Sequence, residues 1–509
     1  MAESRTDKAI KNSAVTMLCQ LVFLIVSFIC RTIFSKLLGT EYLGVGGLFS
    51  NILTILSFAE LGIGSALVYR MYAPLAKGDQ EKVKQYLLVY RCVYRLIILI
   101  VAAVGLAIIP LIPYLVKAPA VKESITLLYV LYLCQTLVSY VCVYKKSLLI
   151  ADQKNYIVNI YNQIFNIAMN ATQCVFLVFT HSFVIYCLLN IAFNLADNIA
   201  CSLRANREYP YIRKPPEGKL SKFEVKGLFR DVKGLLLTKI ASTAFSGTDN
   251  IFISAYIGIR HVGILSNYFM FANIINGIMN RIFYSITASI GNLVAVGEKR
   301  KTEEVINKLF FINTSLYGYL FLGMFFLLRP FVMTLWLNSE YNLPQFVIAL
   351  MLLELFLRSI HYPLYTVRTA MGSFSEHKVL FALAAALNIV LDFLMVKPLG
   401  IAGLFISTIL CRGITYLVDI WVVYHIQLHV SMTHYLLTIF KWLLFLAACG
   451  WICSVVISWI CLENWPGFIT KGLAITALYC VTYLLIFGRS DEFSYFVNLL
   501  KNMLKRVKK

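Results

Sequence analysis

Apolar residues run through this chain in blocks of roughly twenty or more, separated by short polar turns. They show neither the alternation of a half-buried strand nor the one-sided stripe of a soluble amphipathic helix. At 1.5 Å per residue such a block crosses a ~30 Å hydrocarbon layer as a helix. The runs predict spans at 12–34, 44–69, 92–114, 124–144, 157–179, 183–203, 234–257, 262–291, 306–329, 345–366, 378–396, 401–423, 436–461 and 467–488. A membrane β-barrel would need short alternating strands instead. The expected fold is an all-α polytopic membrane protein of about fourteen transmembrane helices.

Composition agrees: of 509 residues, 60% are hydrophobic and 14% charged, against about a quarter charged in a soluble domain. The net charge of +21 would suggest nucleic acid if it lay on a soluble domain. Here 31 of the 46 Lys and Arg fall in alternate loops that a cytoplasmic N-terminus places inside, seven fall outside, and eight lie in or at the edges of spans. That asymmetry predicts both termini in the cytoplasm and no nucleic-acid role. The first apolar run begins a full-length span and lacks a small-residue cleavage site, so no cleaved signal peptide is expected. The 13 cysteines are scattered through apolar runs and read as small hydrophobes, with no metal site and no disulfide framework.

The two halves repeat. Gly39-Thr-Glu-Tyr-Leu-Gly44 and Gly258-Ile-Arg-His-Val-Gly263 differ by a shift of 219, which also carries Lys77-Gly78-Asp79 onto Val296-Gly297-Glu298 without a gap. Six spans followed by six related spans give a parallel repeat, the arrangement of transporters with two lobes around a midplane cavity. The expected organisation is an N-terminal lobe at 1–203, a basic, proline-bearing cytoplasmic linker at 204–233, a C-terminal lobe at 234–424, an appended helix pair within 425–488 and a basic tail at 489–509.

Charges inside spans carry the candidate chemistry, because each costs about 2.5–3.5 kcal/mol near the bilayer centre unless it pairs, snorkels or faces water. Arg91, Arg95, Lys441, Asp197 and Asp419 lie near span ends, and snorkelling accounts for them. Arg31, Lys239 and Arg281 lie deeper, on the first two spans of each half. With Arg358 they form a candidate cationic site that favours phosphate, Arg as a two-pronged fork and Lys as a point charge. Glu60, Asp249 and Glu354 are acids deep enough to carry a coupling proton or Na⁺, or to neutralise a nearby cation. Glu354 and Arg358, spaced i,i+4, would pair along one helix. No nucleotide-binding loop is present, so no cofactor is expected and any energy must come from an H⁺ or Na⁺ gradient or from consumption of product.

The stretch from Arg31-Thr-Ile-Phe-Ser-Lys through Gly39-Thr-Glu-Tyr-Leu-Gly44 to Glu60-Leu-Gly-Ile-Gly-Ser-Ala-Leu67 resembles the Wzx-type polysaccharide flippases of the multidrug/oligosaccharidyl-lipid/polysaccharide (MOP) exporter superfamily. The resemblance implies translocation of undecaprenyl-diphosphate-linked oligosaccharide units across the bacterial cytoplasmic membrane by alternating access, for capsule, exopolysaccharide or another surface glycan. It also implies a polymerase and glycosyltransferases as partners, and carries over Arg31 and the glycine framework. Two transporter alternatives stay open. A lipid II flippase shares the diphosphate logic, and a cation-coupled multidrug exporter would show an acid-dominated site. A membrane glycosyltransferase or polymerase would need a large outer loop, whereas the longest here is only about fifteen residues.

Overall fold

Apolar segments fold as helices in a bilayer because each backbone N–H and C=O then finds its partner within the segment. The computed structural model describes residues 5–60, 63–116, 121–218, 220–221, 224, 226–227, 248–295, 299–370, 375–460 and 464–507. Among these residues there is no strand, and nine helices are long and apolar enough to cross a membrane, ten if the bent pair Ile125–Ser139 and Val143–Ala151 counts as one. Helices Arg5–Leu37 and Ile259–Ala295 match the expected first and eighth spans in position. The all-helical fold is the one the apolar pattern calls for.

The chain divides into two compact units, Met1–Gly263 and Ile264–Lys509. In the first, helices Arg5–Leu37, Asn155–Thr180 and Phe183–Glu208 pack together, and Phe34, Tyr42, Phe183 and Tyr186 interlock with ring centroids 5.0–6.0 Å apart. In the second, helices Thr433–Ser458 and Trp465–Phe487 pack against helix Lys299–Pro330. Trp442 stacks on Phe487 at 4.4 Å, and Tyr479 donates a 2.7 Å hydrogen bond to the Ser315 carbonyl. The last two spans therefore belong to the core of the second unit.

Two expected spans are broken. Span 2, expected to be continuous over 44–69, is instead helix Gly39–Leu56, a 3₁₀ turn Ser57–Glu60 and helix Ile63–Lys77. Span 4 bends by 41° between Ser139 and Val143, where Cys142 takes a left-handed conformation with φ 65°. An apolar run shows no break in its hydropathy, so composition alone missed both.

The repeat is visible in the backbone. Gly39 and Gly258, related by the 219-residue shift, both have positive φ, at 84° and 131°. One repeat further in, a Cβ on Gly44 would collide with the Ile259 carbonyl, and a Cβ on Gly263 would collide with the Thr40 carbonyl. Thr40 and Ile259 are themselves 219 apart, so the same glycine-to-carbonyl contact is made twice with roles exchanged. His181 and Gly400, also 219 apart, both sit in left-handed turns between consecutive helices, with φ 50° and 59°. Close approach through glycine is a standard device of membrane helix packing.

Overpacking a close contact of this kind costs about 1–3 kcal/mol, so Gly44→Ala and Gly263→Ala should each lower the thermal unfolding temperature of the purified protein. Gly277, whose Cβ would meet nothing within 4 Å, serves as the control and should tolerate alanine. Equal melting of Gly44→Ala and Gly277→Ala would disprove the glycine contact.

Candidate functional site

Among the described residues, most of the buried charged side chains are paired within their own unit. In the first unit Lys146 reaches Asp197 at 2.6 Å, and the Asp197 carboxylate is buried. In the second, helices Gln345–Ala370 and Ile401–Trp421 exchange two sets of charges. Arg412 Nε lies 2.7 Å from Glu354 Oε1, while Asp419 is flanked by His361 Nε2 at 2.5 Å and Arg368 Nη1 at 3.4 Å. Asp419 is fully buried. Two expectations are corrected here. Asp197 and Asp419 do not snorkel, because cationic partners on neighbouring helices hold them in the interior. Glu354 is drawn to Arg412 across the helix interface, where the guanidinium Nε lies against a buried carboxylate, and not to Arg358 one turn away.

That leaves Arg358 apart. It is half-buried beside Tyr317, and no described acid pairs with it. Tyr317 is oriented by a 2.9 Å hydrogen bond to Asn276 Oδ1, and the neighbouring Ser359 carbonyl accepts from Asn313 at 2.8 Å. Arg358 is thus a half-buried guanidinium on a well-braced helix, and its Nε is buried without a hydrogen-bond partner.

In the first unit, Arg31 lies half-buried on helix Arg5–Leu37, an electrostatic neighbour of Tyr132 and Tyr186. Glu60 lies in the 3₁₀ turn that breaks span 2 and accepts a 2.8 Å hydrogen bond from the Tyr94 hydroxyl. Asp249 opens the short helix Asp249–Phe252, which packs on helix Gly39–Leu56. Lys239 lies outside the described residues, as does the side chain of Arg281, whose backbone belongs to helix Ile259–Ala295.

A second group was given no role by the sequence reading. Asn388 and Asp392, one turn apart on helix Ser375–Leu399, face Ser407 and Thr408 on helix Ile401–Trp421. Asn388 Nδ2 donates to Asp392 Oδ1 at 3.4 Å and to the Ser407 and Thr408 hydroxyls at 3.3 Å, and Ser407 donates to Asp392. Asp392, Asn388 and Ser407 are fully buried, and Asp392 Oδ2 and Asn388 Oδ1 have no hydrogen-bond partner. This is a cluster of oxygens with one carboxylate and no described cation. The i,i+4 spacing of two polar residues in an otherwise apolar span is the signal that could have found it. Among the described residues no group of three or more His, Cys, Asp or Glu could hold a metal ion.

The family model for polysaccharide biosynthesis proteins matches residues 9–290, more than half of the chain. The chain belongs to that family. Its fold is shared with a lipid II flippase, MurJ, in an inward closed conformation, at TM-score 0.67 and 13% identity over 93% of this chain and 99% of that one. An inward-facing multidrug resistance MATE transporter of the MOP superfamily matches at TM-score 0.62 and 13% identity, over 79% and 96% of the two chains. No curated protein matches it in sequence. Family and fold are thus those of a polysaccharide biosynthesis protein built like these two membrane transporters.

Removing one partner of a buried ion pair leaves an uncompensated charge and costs about 3–5 kcal/mol, whereas replacing both is often neutral. Glu354→Gln and Arg412→Met should therefore each lower the unfolding temperature markedly, and the double variant should recover most of the loss. Arg358→Ala should melt close to the wild type. Destabilisation by Arg358→Ala as large as that by Arg412→Met would mean that Arg358 is a structural partner.

Proposed function

We propose that this transporter translocates undecaprenyl-diphosphate-linked oligosaccharides across the cytoplasmic membrane by alternating access, for capsule, exopolysaccharide or another surface glycan. Both termini then face the cytoplasm, and a polymerase and glycosyltransferases act on the same substrate before and after it. The observation that carries this reading is Arg358: the one depth-placed cation on helix Gln345–Ala370 without a described acid, in a unit where Glu354 and Asp419 already have theirs. A guanidinium at bilayer depth costs about 2.5–3.5 kcal/mol on insertion scales, and an anionic ligand removes that cost. A diphosphate presents the paired oxygens that the guanidinium fork matches. Arg31 is the corresponding candidate in the first unit, and Lys239 and Arg281 complete the proposed cationic set. Family membership supports the glycan pathway, and a basic substrate site argues against an exporter of organic cations.

Gradient coupling belongs to the same proposal. Glu354 is committed to Arg412, so the coupling role passes to acids without a cationic partner. Asp392 fits best: hard monovalent cations take oxygen ligands, and the carboxylate, the Asn388 amide oxygen, and the Ser407 and Thr408 hydroxyls supply them in a buried cluster. Binding to the folded state alone raises stability by RT ln(1 + [L]/Kd). Na⁺ should therefore raise the unfolding temperature of the wild type and not of Asp392→Asn. An equal rise in both variants would remove Asp392 from the coupling scheme.

Transport tests the main reading. Proteoliposomes containing the full chain should move a fluorescent polyprenyl-diphosphate oligosaccharide, and Arg358→Ala should slow this by about tenfold or more while the protein level holds. Arg358→Lys should retain part of the rate, as a point charge replaces the fork. Preference for a lipid II analogue over other oligosaccharide lipids would favour the peptidoglycan-precursor reading. Transport of neutral lipids at the wild-type rate would overturn the diphosphate site.

A further inference from the structure

Two broken spans meet in the first unit. Irregular backbone at bilayer depth persists only where it is buried in protein or lines a polar cavity, and in transporters such breaks mark ion and substrate sites. The 3₁₀ turn that interrupts span 2 carries Glu60, 21 residues from Gly39 and 17 from Lys77. The break in span 4 is at Tyr140–Cys142. One hydrogen bond joins them, from the Tyr140 hydroxyl to Ser57 Oγ at 2.7 Å.

Glu60 is surrounded by hydroxyls. Tyr94 donates to it at 2.8 Å, and Tyr90 and Tyr140 are its electrostatic neighbours. The Tyr90 and Tyr94 rings stack at 4.8 Å, and both hydroxyl oxygens lie 3.1 Å from the point where a Cβ on Gly64 would stand. Tyr90 in turn hydrogen-bonds Ser147 Oγ at 2.7 Å. The nearby cations are engaged or turned away: Lys146 holds Asp197, Lys145 donates to Ser202 at 2.9 Å, and Arg91 and Arg95 lie on the exposed face of helix Gln80–Ile108. No described cation pairs with Glu60.

The hydroxyls therefore form a file from Glu60 through Tyr94 and Tyr90 to Ser147. Ser147 is four residues from the end of helix Val143–Ala151, or about 6 Å along its axis. Just beyond that end, Lys154 bridges Asp152 and Glu208 in a partly exposed ion-pair network. The file thus leads from Ser147, about one turn inside that end, to the Glu60 carboxylate.

We infer that Glu60 is a proton-binding site served by a relay through Ser147, Tyr90 and Tyr94. A proton arriving at the Ser147 oxygen releases the serine proton to Tyr90. Tyr90 passes its own to Tyr94, and Tyr94 passes its own to the Glu60 carboxylate along the hydrogen bond it already donates. Each O–H bond breaks as the next forms, so the net change is one proton gained by Glu60, with all three hydroxyls neutral again. Protonation removes the one charge at the break and frees the two halves of span 2 from the requirement to keep hydroxyls around it. This deepens the gradient-driven reading above by giving it a proton site in the first unit, separate from Asp392.

Infrared difference spectroscopy of the full chain in lipid nanodiscs, between acidic and alkaline pH, reads the proton directly and needs no transport substrate. The wild type should show a protonated-carboxyl band that Glu60→Gln removes, Glu60→Asp moves, and Tyr94→Phe shifts through loss of its hydrogen bond. After a pH jump, that band should appear about tenfold or more slowly in Tyr90→Phe and in Ser147→Ala. The proposal is overturned if the Glu60→Gln spectrum equals that of the wild type, or if both relay variants protonate at the wild-type rate. Transport that ignores proton gradients would instead count against the coupling reading and leave the infrared result standing.

Discussion

A charge at bilayer depth has no water to turn to, so the protein itself must supply its partner. The interior of this protein is arranged around that requirement. Lys146 answers Asp197, Arg412 answers Glu354, and His361 with Arg368 answers Asp419. Each pair ties two helices of one unit together. The groups that these pairings pass over, Arg358, Asp392 and Glu60, are where an external ion or ligand has something to gain.

The same scarcity of water governs the backbone. Helices leave no unsatisfied amide, and the places where helix is interrupted are accordingly few and chemically supplied. Ser57 and Tyr140 bond across the two breaks of the first unit, and Glu60 sits at one of them. Where helices must approach closely, glycine removes the obstacle. The paired contacts of Gly44 with Ile259 and Gly263 with Thr40 show one solution used twice in a repeated sequence.

Much of this was legible in the sequence. Hydropathy runs fix where helices lie because the bilayer demands about twenty apolar residues, and the 219-residue shift marked the glycines that make the equivalent contacts. The family resemblance rested on the same stretch from Arg31 to Leu67. Partner choice was not legible. Glu354 has Arg358 one turn away and Arg412 on another helix, and only the packing of Gln345–Ala370 on Ile401–Trp421 decides between them. Depth along a span likewise says nothing about which way Asp197 or Asp419 faces. The breaks at Ser57–Glu60 and Tyr140–Cys142 carry no proline at the break itself, so no residue type announced them.

Under the proposed function, a cation left over from internal pairing is kept for an anionic headgroup. Equilibrium binding of a polyprenyl diphosphate to the full chain in nanodiscs, set beside the monophosphate and the free polyprenol, tests this most directly. The account predicts tight binding of the diphosphate, weaker binding of the monophosphate, and loss of that preference in Arg358→Ala with the fold intact. Equal affinity for all three lipids, or a preference that survives Arg358→Ala unchanged, would contradict it.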